Sequence, residues 1–189
     1  MLARVLVGAV FLMEGCGGGP QPADWQLNSA QSLGQFQRYY LTGDSRADAE
    51  FAYLRRELSA TGREDLVARA ELVRCALQVA SVDFNDCPGF AALRAGAAQA
   101  ELAYWDYLSG KADRASAADP LATLVAAGVQ LRRGSIRPEA IAQAVETASS
   151  QGWRRPLLAW LGVQEKRARD AGDAEAAARI RRRIELVSG

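Results

Sequence analysis

This chain of 189 residues contains three cysteines and no histidine, and the absence of histidine limits the chemistry that it can perform. Its cysteines are Cys16, Cys75 and Cys87. Because histidine is absent, Ser-His-Asp and Cys-His nucleophilic systems are excluded, and so are histidine-ligated metal sites. Thiolates without a CxxC spacing are also a poor tetrahedral set for zinc. We therefore predict no catalytic residue, no metal and no cofactor, and the cysteines need another explanation.

Acidic residues near two turns are the other candidates for chemistry. Asp44, Asp48 and Glu50 fall within GDSRADAE, where helix capping and the helix dipole explain them better than a cation site does. Asp83 and Asp86 fall within SVDFNDCPGF, which lacks the spacing, the central Gly and the closing Glu of a calcium loop. Both groups are predicted to form turns and helix starts.

The amino-terminal segment has the pattern of an export signal. Arg4 precedes nine apolar or Gly residues, Val5 to Met13, and a bilayer-spanning helix needs about 20. The following residues, Met13-Glu14-Gly15-Cys16, resemble the lipobox of bacterial lipoproteins, with Glu14 where that family usually has a small residue. The resemblance implies a signal peptide over residues 1–15 and lipid on the sulfur and amine of Cys16. On the residues alone, a buried or disordered segment with an incidental cysteine stays open.

The residues after Cys16 are typical of a tether. Three glycines and two prolines between positions 17 and 22 favour a flexible, non-helical leader. We predict a tether over residues 16–27 and an all-helical domain over 28–189. In the lipoprotein family, Gly17 rather than Asp after the cysteine implies transfer to the outer membrane. The expected location is therefore the bacterial outer membrane, facing the periplasm, with the bilayer bound through Cys16.

Lipidation of Cys16 would leave an even number of cysteines. Cys75 and Cys87 then form a natural disulfide in an oxidising periplasm. The loop of about a dozen residues would contribute roughly 3 kcal/mol to stability. The alternative is two buried free thiols or one exposed thiol, which suits a cytosolic protein.

Helical periodicity recurs along the rest of the chain, whereas strand alternation is hard to find. The helix from about Glu64 to Val82 is apolar on two neighbouring sides, which predicts a central, buried position. Glycines mark the ends of the predicted helices at positions 43, 62, 110, 134, 152 and 172. The other predicted helices are 29–41, a helix through Phe51 and Leu58, 99–109, 120–133, 138–150, 155–171 and 174–187.

An approximate repeat links two of these helix ends. Tyr40-Leu41-Thr42-Gly43-Asp44 recurs as Tyr107-Leu108-Ser109-Gly110-Lys111, 67 residues later, near twice the tetratricopeptide period of about 34 residues. The pattern loosely resembles tetratricopeptide proteins. It implies an all-α fold of antiparallel helical hairpins stacked as a short tetratricopeptide-like array, and the alternative is an irregular helical bundle.

Charge is concentrated near the carboxyl terminus. Residues 153–189 carry nine Arg or Lys and five Asp or Glu, whereas the whole chain has a formal net charge of +1. The arginines of the last helix suit a solvated face, with contact to anionic lipid as the alternative. A nucleic-acid partner is not expected.

The leading functional hypothesis is a non-enzymatic, membrane-anchored lipoprotein that faces the periplasm and binds a protein partner in the cell envelope. A carboxylate-dependent envelope enzyme or enzyme subunit is the first alternative. A cytosolic helical scaffold is the second.

Overall fold

The computed structural model describes residues 23–113 and 119–189. Within these residues the regular structure is entirely helical, which confirms the predicted all-α class. The predicted signal peptide, Cys16 and the tether as far as residue 22 lie outside the described residues. The helices are α1 (Asp24–Thr42), α2 (Ala47–Ser59), α3 (Glu64–Ala80), α4 (Pro88–Ala91), α5 (Gln99–Leu108), α6 (Pro120–Arg132), α7 (Pro138–Ser150), α8 (Arg154–Asp170) and α9 (Ala174–Ser188), with a 3-10 turn at Arg94–Gly96.

The first helix begins before the predicted end of the tether. The sequence placed residues 16–27 in the tether, but α1 begins at Asp24. Its N-cap is Ala23, whose backbone N–H donates to Oε1 of Gln26 at 3.1 Å. This start lacks the Ser, Thr, Asp or Asn cap that a sequence pattern detects. Trp25 also packs against the hydrophobic cluster of α1–α3, so the helical structure begins within the residues that were predicted to form the tether.

Glycines end the helices as predicted. At Gly43 the backbone has a φ of 75°, a left-handed conformation that costs glycine little. The N–H of Gly43 donates to Tyr40 O at 3.1 Å and the N–H of Asp44 donates to Tyr39 O at 2.8 Å. These bonds satisfy the last carbonyls of α1 and turn the chain towards α2.

Helix α3 is the centre of the fold, as its two apolar sides predicted. It packs against α1 and α2 on one side and against α5 and α6 on another. Two hydrophobic clusters meet on it. The first contains Phe36, Phe51 and Leu54 with Leu77 of α3, and the second contains Leu124 and Trp160 with Leu72 and Val79 of α3.

Helical hairpins account for much of the packing, but two contacts join distant helices. α1 packs on α2, and α6 to α9 pack in succession. In addition, α3 packs on α6, and α1 packs on α8. A linear repeat array has contacts between neighbouring repeats only, so the α1–α8 contact goes beyond that pattern. The observed architecture fits either a short helical array or a helical bundle.

Two hydrogen bonds fasten α8 to the ends of α1 and α3. Nε of Arg155 donates to Tyr40 O at 2.9 Å, and Nε1 of Trp160 donates to Ala80 O at 2.9 Å. Burial raises the pKa of the Tyr40 hydroxyl, while the nearby Arg155 guanidinium opposes that rise. Tyr40 O also accepts the Gly43 N–H, so Arg155 is a second donor there, whereas Ala80 is the last residue of α3 and its carbonyl is one that a helix end leaves free.

A disulfide bonds α3 to the residue before α4. Cys75 and Cys87 are linked, with a Cα–Cα distance of 5.7 Å, and both are buried. The predicted bridge is therefore present in the structure. Between them the chain turns sharply, with positive φ at Val82 and Cys87, and Asn85 Oδ1 accepts the Cys87 N–H at 2.8 Å.

Reduction of this bridge should destabilise the fold. In the Cys16→Ala protein, reductant should lower the free energy of unfolding by roughly 3 kcal/mol, because the unfolded chain loses a closed loop. Urea titrations with and without reductant measure the difference. Equal midpoints, or alkylation of Cys75 and Cys87 without reductant, would contradict the bridge.

Candidate interaction groove

Helices α1, α2 and α3 enclose an apolar groove beside the amino-terminal end of α1. Its volume is about 260 Å³. We call this feature the α1–α3 groove and define it by six of its lining residues. They are Trp25, Ala30 and Leu33 of α1, Leu54 and Leu58 of α2, and Val73 of α3.

Small side chains open this groove between otherwise well-packed helices. α1 turns Ser32 and Phe36 into the core, and the neighbouring positions Ala30 and Leu33 line the groove. Ala70 of α3 also lines it. Ala30 and Ala70 have only a methyl group as a side chain. The space beside these two residues is therefore left unfilled, and this space is the groove.

An ion pair forms one border of the groove. Nε of Arg69 donates to Oε1 of Glu101 on α5 at 2.7 Å, and Glu101 is 9% exposed. Arg69 and Val73 also line a second depression between α3 and α5, next to Glu101 and Tyr104. The apolar surface therefore continues across α3, and the pair sets a charged boundary between the two depressions.

The solvent-facing side of α1 extends the apolar surface. Leu27 is 54% exposed, and Ala30 and Gly34 follow at three and seven residues, which places all three on neighbouring turns of one side. A Cβ atom at Gly34 would meet nothing within 4 Å. The strip of Leu27, Ala30 and Gly34 is thus open along its length, and contiguous apolar surface of this kind often marks an interaction site.

The acidic residues of GDSRADAE serve local structure. Asp44 Oδ2 lies 2.6 Å from Nη2 of Arg46, and these hydrogen bonds lower the pKa of Asp44 to about 2. The N-cap of α2 is Arg46, so Asp44 does not cap the helix. Asp44 instead stabilises the turn before α2, where its Oδ1 accepts the Arg46 N–H. Asp48 Oδ1 lies 3.7 Å from Nη2 of Arg74.

The acidic residues of the second turn lie beside the disulfide. Asp83 and Asp86 are both exposed, and Asp86 Oδ1 lies 3.4 Å from Nη2 of Arg132. Across residues 23–113 and 119–189, no three potential ligand side chains gather in a metal-binding group.

Two buried carboxylates are not among the candidate residues that the sequence predicted. Glu71 on α3 is 5% exposed and its Oε1 accepts from Nε of Arg55 at 2.9 Å. Glu101 pairs with Arg69 as described. Both occur within apolar stretches, and an acidic residue on a helix face that is otherwise buried is the signal that would have found them. Each carboxylate has an arginine beside it, because a buried charge is costly unless it is paired. The hypothesis of a carboxylate-dependent enzyme stays a prediction.

The arginines near the carboxyl terminus form ion pairs on the surface. Glu165 on α8 accepts from Arg181 of α9 at 3.0 Å and also pairs with Arg169. Nε of Arg154 donates to Val187 O at 3.0 Å, near the end of α9. Such contacts suit the solvated face that was predicted for the last helix.

Comparisons with protein-family models, curated proteins and solved structures found no match to this chain. Among the helices that the structure describes, none is both long enough and apolar enough to cross a membrane.

Proposed function

We propose that this protein is a lipid-anchored module of the bacterial envelope that binds a protein partner through the α1–α3 groove. The supporting observation is the position of the groove. α1 forms one wall and begins at Asp24, eight residues after Cys16. Eight residues extend to at most about 28 Å, so lipid on Cys16 would hold the groove within that distance of a bilayer.

The disulfide supports an exported location. Cys75 and Cys87 are bonded and buried, and structural disulfides persist mainly in oxidising compartments such as the periplasm. Together with the lipobox-like residues before Cys16, this favours the periplasm, and Gly17 after the cysteine favours the outer membrane. It also leaves Cys16 as the cysteine available for lipid.

The dimensions of the groove favour one kind of partner segment. From Trp25 to Leu33 the wall runs for eight residues, or about 12 Å at the rise of an α-helix. That length accepts the apolar side chains of about two turns of an amphipathic helix, at i, i+3 and i+7. The proposed partner is therefore a protein of the envelope that presents such a helix.

Metabolic labelling tests the lipid anchor. Cells given a clickable fatty acid should label the native protein and leave Cys16→Ala unlabelled, because the substitution removes the acceptor sulfur. A variant with Cys75→Ala and Cys87→Ala is the matched control and should keep the label. Unlabelled native protein would refute the anchor and favour the cytosolic scaffold.

A further inference from the structure

We propose that a polar depression between α1 and α2 is a binding site for the uncharged sugar residues of a glycan. Its volume is about 330 Å³, within the range of about 300–1,000 Å³ that small-molecule sites have. We call it the α1–α2 depression, and its lining residues are Asn28, Gln31, Ser32 and Gln35 of α1 with Glu50 and Tyr53 of α2. It shares no lining residue with the α1–α3 groove, so this inference does not depend on the proposed function.

The α1 side of the depression is polar where a packed helix is usually apolar. Its residues, at positions 28, 31, 32 and 35, follow the spacing of a helix face that packs against a neighbour. Helix α2 is that neighbour, and the rings of Phe36 and Phe51 lie 4.7 Å apart where the two helices meet. Apolar side chains would hold the helices together better than amides do. The polar side chains beside this contact therefore need an explanation other than packing.

The polar groups of the depression are not used within the fold. Among the described residues, the side chains of Asn28, Gln31, Gln35 and Glu50 form no hydrogen bond and no ion pair. Ser32 is only 4% exposed, and its hydroxyl is also without a hydrogen bond in the described part of the chain. A buried hydroxyl that stays unpaired is costly, so a ligand that pairs with it gains affinity.

The donors and acceptors in the depression match those of sugar hydroxyls. Each amide group supplies two donors and one acceptor, and the Glu50 carboxylate supplies acceptors. Neighbouring hydroxyls on a sugar ring both donate and accept, so they can pair with all of these groups. The Tyr53 ring is 37% exposed and supplies an apolar surface against which the C–H groups of a sugar ring can pack.

Other classes of ligand fit the depression less well. Among the described residues no Arg or Lys lines it, so a phosphate or a carboxylate would find no cation there. Aliphatic side chains are also missing from this described lining, which disfavours a lipid or the apolar face of a helix. The Arg56 guanidinium lies 5.7 Å from the centre of the Tyr53 ring and disfavours an organic cation. The chemistry that fits is an uncharged ligand rich in hydroxyl groups.

A second polar depression provides a control within the same chain. Gln130 and Gln143 line a depression of about 290 Å³ between α6 and α7. Its other described lining residues are Thr123 and three alanines, without an aromatic ring or a carboxylate. It therefore has amide groups like those of the α1–α2 depression but lacks the groups that complete a sugar site.

Nuclear magnetic resonance of the side-chain amides tests the site directly. The isotope-labelled full chain with Cys16→Ala is titrated with chitohexaose and, separately, with maltohexaose. The NH₂ signals of Asn28, Gln31 and Gln35 should shift to saturation with a Kd of about 1 mM or lower, and those of Gln130 and Gln143 should not shift. Saturation by one sugar or by both supports the site and shows whether acetamido groups are required. No saturable shift with either sugar, or equal shifts in the two depressions, would overturn the proposal.

Matched variants separate binding from folding. Gln35→Ala should raise the Kd about five-fold through the loss of a hydrogen bond, and Tyr53→Ala about ten-fold through the loss of the ring. Gln143→Ala, in the control depression, should leave the Kd unchanged. Ser32→Ala should raise the Kd about five-fold without lowering the free energy of unfolding, because it removes a buried hydroxyl that is unpaired in the free protein. A Ser32→Ala protein that loses stability and keeps its affinity would contradict the assignment of Ser32 to the site.

Discussion

Replacing Trp160 with Ala should lower the free energy of unfolding by about 4 kcal/mol. Trp160 is fully buried in α8, and its Nε1 donates to Ala80 O at the end of α3. The substitution leaves a large cavity among α3, α6 and α8 and removes the donor for a buried carbonyl. Both effects act where α8 meets the end of α3.

A conservative substitution separates the two effects. Trp160→Phe keeps most of the ring volume but lacks the N–H group, and should cost about 1–3 kcal/mol through the unpaired carbonyl and the smaller ring. Leu186→Ala on α9, where the side chain is 83% exposed, is the control and should change little. Urea unfolding followed by circular dichroism provides the free energies. An unchanged stability of Trp160→Ala would contradict the burial of Trp160 and its hydrogen bond to Ala80 O.

Gly128→Ala should destabilise the protein by about 3 kcal/mol or more. A Cβ atom at Gly128 would lie 2.2 Å from the backbone oxygen of Val79 and 2.8 Å from Val79 Cγ1. Backbone oxygen cannot rotate away as a flexible side chain can. α6 would have to move from α3, and that movement opens the core around Leu124 and Val129.

A second helical glycine predicts the opposite sign. A Cβ atom at Gly162, in α8, would meet nothing within 4 Å. Gly162→Ala should therefore stabilise the protein by about 0.5–1 kcal/mol, since alanine loses less backbone entropy on folding. Thermal unfolding of both variants measures the pair. A stable Gly128→Ala protein would contradict the close α3–α6 contact.

Local patterns sufficed to predict most helix boundaries. Gly43 and five further glycines stop helices where the sequence placed stops. Asp119 caps α6 directly before Pro120, an arrangement that a sequence shows by itself, and its Oδ1 accepts the Ala122 N–H at 2.9 Å. These signals depend on residues within one turn of the helix end, so a single sequence contains all the information.

The start of α1 is different because its stabilisation is partly tertiary. Ala23 is not a favoured N-cap, and Trp25 is fixed by packing against the cluster of α1–α3. Three glycines and two prolines precede these residues in the sequence, and they led to the prediction that a tether extends as far as residue 27. The helix begins where packing starts to favour it, which no local pattern at residue 23 reports.

The long-range contacts and the groove could not be predicted from the sequence. Arg155 reaches Tyr40 across 115 residues, and Gly128 has the same local sequence signal as a glycine that merely weakens a helix. The groove depends on how far α1, α2 and α3 stand apart at Ala30 and Ala70. Such spacing follows from the packing of three helices together, and the periodicity of each helix alone does not contain it.

Photo-crosslinking in intact cells tests the central claim, that the α1–α3 groove binds a protein partner at the membrane. A photoreactive amino acid in place of Ala30 should form one discrete crosslinked product, and the same residue in place of Ala142 should form none. Adding Cys16→Ala should abolish the product at position 30, because the groove would no longer be held at the bilayer. Equal crosslinking from both positions, or a product at position 30 that persists without Cys16, would contradict the claim.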